Sequence, residues 1–178
     1  VTGRWIANGS RKSMTPVGPR VITTGKKPSH AHWIGWNEMA LVSLVIVSHS
    51  LTLARGVKEM ADQMADQQVQ IEIAAGLVDE RSGAAVLGTD AAQIAAAIER
   101  CWTPAGVLIL VDLGSAVLSA ELALDLLPPD RQTSCLISNA PLVEGAFIAA
   151  LEASLAHSLT VVNQAAEAAC QLPKILRE

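Results

Sequence analysis

Apolar residues fall in short blocks along this chain, separated by polar stretches at fairly regular distances. Residues 41–48, LVSLVIVS, are apolar almost throughout, which predicts a strand buried on both faces. Residues 51–66 place Leu53, Val57, Met60 and Met64 on one helical face, and Ser50 is suited to cap that helix. VQIEIAA, at 69–75, alternates with the two-residue period of a second strand. Residues 76–88 hold Gly76, Gly83 and Gly88 and read as a loop. Thr89 is then expected to cap a helix running to about Cys101, with Asp90 in its first turn. GVLILVD, at 106–112, predicts a third, fully buried strand. Residues 115–127 predict a helix stopped by Pro128 and Pro129, and TSCLIS, at 133–138, a fourth strand. Two helices, 142–157 and 159–171, follow.

Strands alternating with helices imply an α/β fold. The expected form is a doubly wound, mainly parallel sheet with right-handed crossovers and helices on both faces. The strand order expected for four strands is 2-1-3-4. Its switch point lies between strands 1 and 3, where ligands bind at the carboxyl ends. His49 follows strand 1 and Asp112 ends strand 3, so the topology brings them to one crevice.

Composition refines this picture. The chain of 178 residues is 51% hydrophobic but only 3% aromatic, so its core is built from Ala, Val, Leu and Ile. No apolar run reaches the roughly 18–20 residues of a membrane span, and no signal-peptide pattern opens the chain. Cys101, Cys135 and Cys170 are far apart and form no C-x-x-C, which suits small core residues in a reducing cytoplasm. Residues 1–38 carry six Lys and Arg against one acid, whereas 39–178 carry seven against sixteen. The first segment also holds Trp5, Trp33 and Trp36 and shows no sustained period. It reads as an irregular, disordered extension, with Met39 as a natural start and 39–178 as the folded domain. A basic arm for nucleic acid is the alternative for this segment, but its cations are scattered and the domain is acidic. Neither nucleic acid nor membrane is expected as a partner.

Several chemistries lack their residues. There is no G-x-x-x-x-G-K-[ST] and no G-x-G-x-x-G after a strand; Gly25-Lys26-Lys27 sits in the irregular segment. His30, His32, His49 and His157 have no ligand partners at metal-binding spacing, so no metal and no cofactor are expected. G-x-S-x-G is absent. A receiver domain would need acids after strand 1, where Ser48-His49-Ser50 stands, and a flavin site would need more aromatic walls. A nucleophilic histidine remains. Neutral imidazole can carry a phosphoryl group, and His49 precedes a helix N-terminus that favours an anion. The turn DLGSA, at 112–116, offers Gly114 for close backbone approach and Ser115 for its hydroxyl and amide. Asp112 either accepts a hydrogen bond from one ring nitrogen, a role asparagine could partly fill, or simply caps the next helix.

The blocks LVIVSHSLTLARGV, IAAG, GTD, LVDLGSAVLSAE and APLVEGAFIAA span about residues 39–157. In order and spacing they closely resemble the phosphotransferase subunit of bacterial phosphoenolpyruvate-dependent dihydroxyacetone kinase. That subunit belongs to the mannose-type IIA family of the sugar phosphotransferase system. The resemblance implies a phosphohistidine at His49 with Asp112 beside it, and a phosphoryl site bordered by Ser50, Thr89, Gly114 and Ser115. It implies a cytoplasmic homodimer that takes its phosphoryl group from the phosphocarrier HPr. The group passes to ADP on the kinase's nucleotide-binding subunit, while a third subunit holds dihydroxyacetone. Members with fused HPr-like domains are longer, so a separate HPr is expected here. A IIA component of a sugar transporter and a non-catalytic flavodoxin-like regulatory module are the alternatives.

Overall fold

In the computed structural model, residues 40–175 are described. The expectations for residues 1–38, for a start at Met39 and for His30 and His32 lie outside them. Four strands form one parallel sheet: β1 (Ser43–Ser48), β2 (Ile71–Ala75), β5 (Val107–Val111) and β6 (Cys135–Ser138). Their order is β2-β1-β5-β6, which is the expected 2-1-3-4 arrangement of the main strands. Between β2 and the next helix the chain makes a small antiparallel ribbon, β3 (Leu77–Val78) with β4 (Ala85–Val86). The loop expected over 76–88 is therefore partly paired. Two-residue strands carry too few positions to show a period.

Among the described residues there are six α-helices: α1 (Leu51–Asp62), α2 (Ala91–Cys101), α3 (Gly114–Asp125), the single turn α4 (Pro129–Gln132), α5 (Leu142–Ser154) and α6 (Leu159–Ala168). β1 is buried at every position because it runs through the middle of the sheet with helices on each side. Its side chains alternate between two cores. Leu44 and Ile46 pack with α1, α5 and α6, while Val45 and Val47 pack with α2 and α3. Much of what the helices turn inward is alanine, such as Ala116, Ala120 and Ala123 of α3 and Ala146, Ala149, Ala150 and Ala153 of α5. These small side chains let helix backbones sit close to the sheet, in keeping with a core almost free of aromatics.

Four sequence expectations need correction. In α1 the buried stripe is Ala54, Val57 and Ala61, while Leu53 and Met60 are exposed, so the larger apolar side chains were a misleading guide to the inner face. Asp90, not Thr89, caps α2: it has extended backbone angles and accepts from the Gln93 amide at 2.7 Å. Pro129 does not only end α3 but also opens α4, where its missing N–H costs nothing. Cys101 is buried, but Cys135 is half-buried and Cys170 exposed. Burial pushes the Cys101 thiol up to about 12 and that of Cys135 to about 11, so neither is poised to react.

Candidate functional site: a histidine held at the switch point

β1 leads into α1 on one face of the sheet and β5 leads into α3 on the other. The two paired strands thus send their connections to opposite faces, and the residues following β1 and β5 border one crevice. His49 follows β1 and Asp112 follows β5. Asp112 Oδ1 lies 2.9 Å from His49 Nδ1. Its other oxygen, Oδ2, accepts from the His49 backbone amide at 2.8 Å and from the Ser48 hydroxyl at 2.9 Å. The carboxylate is 10% exposed and the imidazole 23%. Burial acts to raise the Asp112 carboxyl, but the His49 amide, the His49 ring and the Ser48 hydroxyl outweigh it and hold it below its usual range. Asp112 is therefore an anion at neutral pH.

An ionised carboxylate has no proton to give, so the imidazole must donate Nδ1–H to it. In the neutral ring this leaves the lone pair on Nε2. Ser115 Oγ lies 3.0 Å from Nε2 and can donate to that lone pair. The ring is thus held at both ends, in the tautomer that leaves the lone pair on Nε2.

Of the two roles left open for Asp112, helix capping fails. The N-cap of α3 is Leu113, and no side chain caps that helix. The α3 N-terminus, with Gly114 and Ser115 as its first residues, keeps its amides free of side-chain acceptors beside Nε2, where they can meet an anion. Ser50 caps α1, its hydroxyl accepting from the Leu53 amide at 3.3 Å. Thr89 bonds Ser119 of α3, hydroxyl to hydroxyl, at 2.8 Å. The neighbouring Gly88 amide donates to the His49 carbonyl at 3.0 Å, and the Gly76 amide to the Ser48 carbonyl at 3.1 Å. The ribbon is in this way tied at both ends to the segment that carries the histidine.

Depressions lie along this edge. One of about 320 Å³ runs from Ser50 and Thr52 of α1 to the ribbon, and one of about 180 Å³ lies between Asp112, Gly114 and Asn139. The first is walled mainly by apolar side chains, with Val78 and Leu87 largely exposed, whereas Ser138 and Asn139 join Asp112 in the second. His157, at the opposite end of α5, pairs with Glu152 at 2.6 Å and takes no part. Among the described residues no three His, Cys, Asp or Glu side chains gather as a metal site would, and no helix is long and apolar enough to cross a membrane.

The sequence reading missed Ser48 and Ser119. Ser119 follows Ser115 by one helical turn, a spacing that signals a shared face. Ser48 is a hydroxyl at the end of an otherwise apolar buried run, which calls for a partner.

Fold and site together define a class: a doubly wound parallel α/β domain with an aspartate-held histidine at its switch point. Residues 43–163 match the family model of the PTS system fructose IIA component, the EIIA-man family. The chain belongs to that family. It is 40% identical over 131 residues to the phosphoryl donor subunit DhaM of PEP-dependent dihydroxyacetone kinase 2 from Listeria innocua, covering 74% of this chain and 95% of that one. It is 42% identical over 130 residues to the DhaM phosphoryl donor subunit from Providencia stuartii, covering 72% of this chain but only 27% of that one. The DhaM of Escherichia coli is 44% identical over 115 residues, 64% of this chain and 24% of its own length. The chain thus spans about a quarter of these longer relatives. The crystal structure of unknown function protein EF1359 superposes with a TM-score of 0.60 at 38% identity, over 71% of this chain and 93% of that one.

Proposed function

We propose that this domain is the phosphohistidine carrier of a PEP-dependent dihydroxyacetone kinase. In this reading the phosphoryl group of phosphorylated HPr passes to His49 Nε2: the N–P bond of the donor breaks as the new N–P bond forms. It then passes to ADP on the kinase's nucleotide-binding subunit, where an O–P bond replaces it and Nε2 regains its lone pair. The observation that carries the reading is the pairing of Asp112 Oδ1 with Nδ1, which leaves the lone pair on Nε2, met there by the Ser115 hydroxyl. Ser115 must swing off Nε2 for attack, and its hydroxyl then sits where a phosphoryl oxygen arrives. The α3 amides at Gly114 and Ser115 and the α1 amides beside Ser50 carry the partial positive charge that suits that group. Thr89 belongs to the loop expected to border that group. Its hydroxyl is engaged with Ser119, so it anchors the loop beside the phosphoryl group unless that bond opens.

The test is phosphoryl uptake. Incubated with labelled phosphoenolpyruvate, enzyme I and HPr, the chain should gain one acid-labile, base-stable phosphoryl group. It should then lose it to ADP only when the nucleotide-binding subunit is added. No uptake at all would leave the regulatory-module reading. Discharge to a sugar-specific IIB component instead would favour a transporter IIA component, the second reading suggested by the fructose IIA description of the matching family model.

The homodimer belongs to the same proposal. α3 is apolar on both sides: Ala116, Ala120 and Ala123 face the core, while Leu118, Leu122 and Leu126 form an outer ridge with each leucine about 60% exposed. An exposed apolar ridge of this kind is a natural contact surface. A second copy of the chain would cover this ridge. Sedimentation should give twice the chain mass, and Leu122→Glu should shift it toward the single chain. A monomeric parent, or a dimer indifferent to that change, would remove the ridge from the interface.

A further inference from the structure

We propose that Ser48 is a positioning residue of this site: its buried hydroxyl fixes the plane of the Asp112 carboxylate so that Oδ1 meets His49 Nδ1. The inference rests on the carrier reading above. Ser48 closes a strand whose other residues are mostly Leu, Val and Ile, and it is fully buried there. An apolar side chain would suit that burial better unless the hydroxyl is used, and both of its capacities are used. Its proton goes to Asp112 Oδ2 at 2.9 Å, since the ionised carboxylate can only accept. Its oxygen accepts from the Ser50 amide at 3.0 Å.

The result is a closed set of bonds around the histidine. Ser48 and Ser50 flank His49 in the chain, and the Ser48 hydroxyl joins the Ser50 backbone to Asp112. Oδ2 is held by two donors from different directions, the Ser48 hydroxyl and the His49 amide. With one donor alone the carboxylate could pivot about the Cβ–Cγ bond and carry Oδ1 away from the ring. With two it cannot turn without breaking a short bond, so Oδ1 is left for Nδ1–H. Ser48 touches neither the ring nor the arriving phosphoryl group. It acts through Asp112.

That dependence sets the experiment. Single-turnover transfer from phosphorylated HPr is measured in Ser48→Ala, in Asp112→Ala and in the double variant, alongside the parent. Loss of about one charge-assisted hydrogen bond corresponds to roughly tenfold in rate. Ser48→Ala should therefore slow transfer about tenfold with HPr affinity unchanged, and should add almost nothing in the Asp112→Ala background. Ser48→Cys, similar in size but a weak donor, should behave like Ser48→Ala. The His49 Nδ1–H proton resonance should weaken or vanish in both single Ser48 variants. Parent-like rates in Ser48→Ala, or the same slowing with and without Asp112, would overturn the inference. So would slowing with the Nδ1–H resonance intact, which would make Ser48 a structural residue only. If the parent chain itself takes up no phosphoryl group, it is the carrier reading that falls, not this one.

Discussion

His49→Ala is expected to fold normally and to take up no phosphoryl group from phosphorylated HPr. The effect should be complete because, in the proposed transfer, it is the imidazole that forms the bond to phosphorus. Without the ring the Ser115 hydroxyl loses Nε2, the base beside it, and is left unactivated. The fold should tolerate the loss. The ring makes two side-chain hydrogen bonds, one to the Asp112 anion, of the kind that contributes about 1.5–3 kcal/mol, and one to Ser115, of the kind that contributes about 0.5–1.5 kcal/mol. Domains of this size are stable by about 5–15 kcal/mol, so the variant stays folded. The Asp112 anion also keeps two donors, the amide of residue 49 and the Ser48 hydroxyl. Label is followed by mass mapping after alkaline digestion, which preserves phosphohistidine, and folding by circular dichroism. Label retained on His157 would reassign the site. A base-labile acyl phosphate on Asp112 would make this a receiver-like domain.

Why His49 and Asp112 were legible, and other features were not, follows from the kind of signal each gives. LVSLVIVS and GVLILVD are uninterrupted apolar runs, and the end of such a run fixes where a chain leaves the sheet. Strand order was expected as the common arrangement of a small, doubly wound parallel sheet, and the structure has it. Together these placed a histidine and an aspartate at one crevice before any distance was known. The ribbon at Leu77–Val78 and Ala85–Val86 gave no period, being two residues per strand. The choice between Thr89 and Asp90 as cap depends on which residue adopts the extended backbone, and two adjacent capping residues do not reveal it. In α1, Leu53 and Met60 outweigh Ala54 and Ala61 in hydrophobicity, yet the helix lies so close to the sheet that only alanines and a valine fit beneath it. Ser48 was missed because a serine in a strand is informative only once its acceptor is known, and that acceptor lies 64 residues away.

Asp112→Ala is expected to slow phosphoryl transfer by roughly 10- to 100-fold without abolishing it. A hydrogen bond to a charged partner is worth about 1.5–3 kcal/mol, and each 1.36 kcal/mol is tenfold in rate. The carboxylate contributes twice during transfer. It keeps the proton on Nδ1, and it faces the positive charge that the ring acquires as Nε2 bonds to phosphorus. From sequence, asparagine seemed a partial replacement, since its carbonyl can still accept Nδ1–H. The geometry argues otherwise. With the carbonyl toward Nδ1, the amide nitrogen takes the place of Oδ2, where it meets the His49 backbone N–H at about the 2.8 Å now seen for the carboxylate. Two donors then face each other. Flipping the amide satisfies the backbone but turns N–H toward Nδ1 and favours the wrong tautomer. Asp112→Asn should therefore transfer no faster than Asp112→Ala, and be less stable by the roughly 1–3 kcal/mol of a buried unsatisfied donor. The pH dependence has a definite sign. Hydrogen bonds hold the Asp112 carboxyl below its unfolded value, so its contribution to stability is present above the ordinary carboxylate range near 4 and is lost as pH falls through the lowered value. Between pH 5 and 8 the stability gap between parent and Asp112→Ala should stay constant, and it should narrow only below about pH 4. Rates from single turnover and melting curves across pH 2–8 read both effects. Parent-like transfer in a folded Asp112→Ala protein would show that the ring needs no carboxylate. A stability gap that closes already between pH 7 and 5 would mean that Asp112 takes up its proton there and cannot be the anion that holds Nδ1–H.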